Sequence, residues 1–137
     1  MLALVKALHL LALVFGSAAS LGNIYLALAA GPHDLPAPGF TNALRKLYRF
    51  TALFAILVLW ATGLVLMFGE YGWWVPSRAF DIKIAFAILL TAIIFWLNLR
   101  ATTWARTGGP PPYVKYLHWT GTFSLLMVVT LAVFAFN

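Results

Sequence analysis

Four apolar runs, each long enough to cross a bilayer, constrain this chain more than any other feature of its sequence. A spanning helix needs about 20 mostly apolar residues. The runs from Ala3 to Ala29, Leu47 to Phe68, Phe80 to Leu99 and Tyr113 to Phe136 all meet that length. In hydrocarbon every backbone N–H and C=O must be satisfied, which selects helices over isolated strands. The intervening "AAGPHDLPAPGFTN", "GEYGWWVPSR" and "RTGGPPPY" carry prolines and glycines that end helices. The sequence therefore predicts an all-α protein: one transmembrane domain over residues 1–137, built as an antiparallel up-and-down four-helix bundle in the lipid bilayer.

Composition agrees. The chain is 64% hydrophobic and 9% charged, whereas soluble domains carry roughly 25% charged residues. "GSAAS" resembles a signal-cleavage site, but the apolar helix runs on through Leu28 and no polar domain follows, so the first segment is expected to be retained. The absence of cysteine excludes disulfides, thiolate metal sites and covalent c-type haem. The net charge of +6 sits at the ends of apolar runs, which suits topology and anionic lipid and predicts no nucleic-acid partner.

The near face is taken as the one where the chain starts. The far face then holds Arg45, Lys46, Arg49, Arg100, Arg106 and Lys115, against Lys6, Arg78 and Lys83 on the near face. The excess of positive charge marks the far face as cytoplasmic. The expectation is a multi-pass protein of a bacterial inner (cytoplasmic) membrane with both termini periplasmic. Trp73, Trp74, Trp104, Trp119, Tyr71, Tyr113 and Tyr116 fall near span ends, where an aromatic belt belongs.

Depth then groups three side chains. His9 lies about a turn inside the near face, as does Met67 at the end of the second span. Lys83, at the start of the third, lies at the same level; Glu70 and Asp81 lie slightly outside it. At about 1.5 Å per residue these three share one layer. His9, Gly16 and Asn23 recur every seven residues, with Ala12, Ala19 and Ser20 beside them. Small residues at such spacing let helices approach closely, which turns His9 toward the bundle. Trp60, Gly63 and Met67 form a second stripe. An imidazole and a thioether are a suitable axial pair for b-type haem, so haem b is the expected cofactor, with His9 and Met67 on the metal. Lys83 would pair with a propionate or another carboxylate. The ordinary readings stay open: His9 as an interfacial polar group, Met67 as core filler, Lys83 as a snorkelling cation. His118 opens the fourth span at the far face, too distant to share an iron with His9, and is expected to be structural. His33, in the first loop, joins it only if that loop folds inward.

"KALH" opening the first helix, "LYRF" opening the second, "TGLVLM" closing it and a Lys early in the third resemble the HemJ-type protoporphyrinogen oxidases and the broader CopD-like four-helix membrane proteins. The resemblance implies b-haem at His9 and Met67, with Lys83 a family position. The fourth helix reads "HWTGTFSLLMVV" where that family usually carries an Asn-Glu-x-Pro-type stretch. Phe80 is the nearest aromatic to the place of an expected Trp before the Lys. The scaffold and haem are thus implied more directly than porphyrinogen oxidation.

The expected function is a small b-haem membrane protein for redox chemistry or electron transfer, extending to a porphyrin-like substrate, with a quinone or a larger complex as partner. A homo-oligomer is compatible with the sequence. The competing class is a non-catalytic accessory subunit of a respiratory or photosynthetic complex, which short loops and scarce intramembrane acids suit. Copper handling is disfavoured by too few His and Met on the near face, and ion-coupled transport by the lack of a mid-span acid.

Overall fold

The breakers and the apolar runs resolve into four helices. The structure, a computed structural model, describes residues 1–28, 38–73, 76–108 and 111–136. The helices are α1 (Leu2–Leu28), α2 (Pro38–Glu70), α3 (Arg78–Arg106) and α4 (Val114–Phe136). All four are long and apolar enough to cross a membrane, and no strand is present among the described residues.

Two helices outrun their apolar runs. α2 has 33 residues, about 50 Å at the helical rise, against a hydrocarbon core of about 30 Å. It starts at Pro38, ahead of the run that begins at Leu47, because proline's fixed φ suits a first helical position and its missing N–H has no partner there in any case. The basic residues Arg45, Lys46 and Arg49 thereby ride on a helix at the far face. α3 continues past Leu99 to Arg106 in the same way. It opens behind Ser77, whose carbonyl accepts the N–H groups of Phe80 and Asp81; Asp81 in the first turn and Arg106 in the last complement the helix dipole. Gly72 and Gly108 take φ of 65° and 96° just beyond α2 and α3, left-handed values that glycine adopts without a Cβ penalty.

α1 packs along α2 in a seven-residue seam. A Cβ on Gly16 would stand 3.3 Å from the Cβ of Ala55, and one on Gly69 would stand 2.8 Å from a methyl of Leu2. His9 meets Thr62 between them. At the far end the ring of Tyr48 lies over Gly22, within 2.6 Å of where a Cβ would be. The α1 positions 2, 9 and 16 thus face the α2 positions 69, 62 and 55, the heptad matching of antiparallel knobs-into-holes packing. Most layers hold a small residue on one side, which is how helices approach in lipid, where no hydrophobic force draws them together.

The remaining seams close a ring. α3 packs along α4, α1 touches α4, and the α2–α3 seam is the loosest. Hydroxyls link helices across two of these seams. Ser20 of α1 and Thr122 of α4 are 2.7 Å apart, and Trp60 of α2 donates to Thr91 of α3 at 2.9 Å. Ile56, Leu90 and Leu125 meet at the centre, with Leu13, Leu59 and Ile94 around them. Outward faces stay apolar: Phe54 is 71% exposed and Phe134 70%. Such surfaces require lipid as the solvent.

Candidate functional site

The first two turns of α1 place His9 on the α2 seam. Its Nδ1 lies 2.7 Å from the hydroxyl of Thr62, which is 2.6 Å from the carbonyl of Val58. A carbonyl only accepts, so where the hydroxyl hydrogen goes to Val58, Thr62 accepts from Nδ1–H of His9. In that arrangement Nδ1 carries the proton and Nε2 keeps its lone pair. Gly63 packs beside the ring, where a Cβ would sit 3.6 Å from Cε1 of His9.

A cavity of about 410 Å³ opens between the helices in this half of the bundle, and His9, Met67 and Lys83 all line it. That volume is within the usual range of about 300–1,000 Å³ for small-molecule sites. The α2 stripe of Trp60, Gly63 and Met67 forms one wall; Ile56, Leu90 and Leu125 close the inner end. Trp60 is held in place because Thr91, its acceptor, gives its own hydrogen to the carbonyl of Ala87 at 2.7 Å. The walls are mainly Leu, Ile, Val and Ala. Polar groups gather toward the near face, where Lys6 forms an ion pair with Glu70, and Lys6, Glu70, Tyr71 and Lys83 line the mouth. Nζ of Lys83 stands 5.9 Å from the ring centroid of Phe80, within reach of a cation–π contact.

The three residues grouped by depth are therefore brought to one cavity. Gly16 closes the seam below His9, but Ser20 turns to Thr122 of α4 and does not support the His9 face. His118 does not line the cavity; it is half-buried in the second turn of α4, with Arg45 the charged group that acts on it. His33 and Trp74 lie outside the described residues. Sequence reasoning missed Thr62, Thr91 and the Lys6–Glu70 pair. The seven-residue repeat, carried across to α2, is the signal that finds Thr62.

Among the described residues no three His, Cys, Asp or Glu side chains cluster as a metal cage. A haem iron needs only two axial protein ligands. The donor set fits that group: an imidazole whose outer nitrogen is hydrogen-bonded, leaving Nε2 to ligate, a thioether on the same cavity, and cations at its mouth. A partner on the far ring nitrogen is the usual support for a ligating histidine. Comparison with protein-family models, curated proteins and solved structures returned no match to this chain.

Proposed function

We propose that this is a small b-type haem protein of the membrane, working in redox chemistry or electron transfer. The observation that carries the reading is the oriented His9: Thr62 holds Nδ1–H and leaves Nε2 as a lone-pair donor on an apolar cavity that Met67 shares. His9 and Met67 would hold the iron, and Lys83 with Lys6 would face the propionates. When bound, the haem supplies one-electron chemistry; the protein supplies ligands, burial and an apolar surround that sets the potential. A quinone or a larger membrane complex would exchange the electrons. The basic far face supports a bacterial inner membrane with periplasmic termini, and a near-face haem then works at the periplasmic side. Resemblance to the HemJ-type and CopD-like proteins belongs to this proposal, as does oxidation of a porphyrinogen.

A second reading has its own support. The His9–Thr62 bond lies in the heptad seam, and such bonds join helices in lipid without any cofactor. On that reading the protein is an accessory subunit of a larger complex.

A reduced-minus-oxidised difference spectrum of the purified protein separates the two. Haem predicts a b-type band. His9→Ala should abolish stable binding, Met67→Leu should weaken it and shift the midpoint potential, and Lys83→Ala should do less than either. His118→Gln should leave the band intact, since His118 is not on the cavity. A colourless wild type, or a His9→Ala variant with full haem content, ends the haem reading.

A further inference from the structure

Leu64 lines the cavity and is 44% exposed. It therefore stands where the cavity opens along this edge of α2. Leu64 follows Trp60 by four residues, so both lie on the same edge of the helix; Trp60 bonds Thr91 and thus marks the edge that faces α3. On α3, Ile84 precedes Thr91 by seven residues and lines the cavity on the facing edge. The seam between these edges is the loosest in the ring, while the α1–α2 seam is closed by its small residues.

We propose that the cavity is filled sideways from the bilayer, through the α2–α3 seam at Leu64, and that its ligand is an amphiphile dissolved in lipid. This deepens the ligand-site reading above, on which it rests, without requiring that the ligand be haem. The ligand has a flat apolar body that passes the seam. Its polar or anionic end stays in the layer of Lys6, Glu70 and Lys83.

The aqueous path passes a polar mouth where Lys6 and Glu70 form an ion pair, whereas the seam at Leu64 and Ile84 is lined by apolar side chains. Rotamers of an exposed leucine exchange in picoseconds to nanoseconds. The Trp60–Thr91 bond sets the lower limit of the lateral path, holding the seam together toward the far face.

The lack of cysteine permits a direct test. Ala87→Cys puts one attachment point in the cavity wall for a nitroxide, and Leu57→Cys, 54% exposed on α2, gives a lipid-facing reference. In lipid nanodiscs, saturation EPR compares collision with oxygen, enriched in lipid, and with a nickel chelate confined to water. The label at 87 should meet oxygen far more than the chelate. Leu64→Trp should lower that oxygen access severalfold, Leu64→Ala should raise it, and Glu70→Gln with Lys6→Gln should leave it unchanged. Access by the chelate, together with indifference to Leu64→Trp, overturns the lateral route. Uptake of hemin from preloaded vesicles should likewise slow in Leu64→Trp with the same final occupancy. A wild type that takes up no hemin ends the haem reading, while the EPR comparison still decides the route.

Discussion

Nδ1 of His9 lies 2.7 Å from the hydroxyl of Thr62, a residue 53 positions further along the chain. The bond joins the start of α1 to the last third of α2 and sets which ring nitrogen is free. In lipid there is no water to replace it, so the imidazole N–H and the threonine oxygen depend on each other.

Thr62→Val nearly keeps the volume but removes the acceptor. Leaving the part-buried Nδ1–H unpaired should cost up to about 1 kcal/mol of stability. Any ligand on Nε2 should lose about 10–100-fold in affinity, the usual effect of removing the partner of a ligating histidine. Thr62→Ser should restore both. Thermal unfolding and hemin titration in one detergent check this; wild-type behaviour of Thr62→Val in both means that Nδ1 has another partner.

Two glycines should respond to alanine with opposite signs. At Gly121 a Cβ would make ordinary contacts of 3.7 and 3.8 Å with Ile93 and Leu90. Gly121→Ala should therefore gain up to about 1 kcal/mol from helix propensity. At Gly22 a Cβ would be 2.6 Å from the Tyr48 ring, and overpacking of that kind costs about 1–3 kcal/mol. Gly22→Ala should melt below wild type and recover when combined with Tyr48→Ala. Equal melting temperatures for the two single variants would remove the close α1–α2 contact from this account.

Ser124 is fully buried, and its hydroxyl has no hydrogen-bond partner among the described residues. Ser124→Ala removes a desolvated group and loses no bond, so stability should hold or rise by up to about 1–3 kcal/mol. Ser124→Val adds volume to a site without space and should destabilise. A lower melting temperature for Ser124→Ala means that the hydroxyl has a partner in the membrane.

The antiparallel arrangement predicts that the α2–α3 and α3–α4 turns face opposite compartments. Single cysteines at Tyr71 and Thr107, both exposed, should label from opposite sides of sealed vesicles, with Thr107 on the cytoplasmic side. Labelling from one side only is incompatible with the bundle.

Much of this was legible in the chain itself. The breakers placed the helix ends, although the helical part of α2 extends beyond its apolar run, because a run marks only what lies in hydrocarbon. The seven-residue spacing of His9 and Gly16 identified the α1 face that meets α2. The stripe of Trp60, Gly63 and Met67 identified an α2 face that lines the cavity. Thr62 was passed over because one threonine in an apolar run looks like tolerated polarity. Lys6 and Glu70 appeared as separate boundary charges until α1 and α2 were set side by side.

The sequence alone determined the number of spans, their ends, and the common depth of His9, Met67 and Lys83. These are one-dimensional quantities, fixed by bilayer thickness and the rise of a helix. Only the tertiary structure decided how each helix is turned about its axis: His9 toward Thr62, Ser20 toward Thr122, Leu64 toward the cavity. In water a polar face announces its own direction. Here lipid and protein interior are both apolar, so the helices carry almost no inside–outside contrast, and rotation is set by close contacts and a few hydroxyl bonds between distant residues.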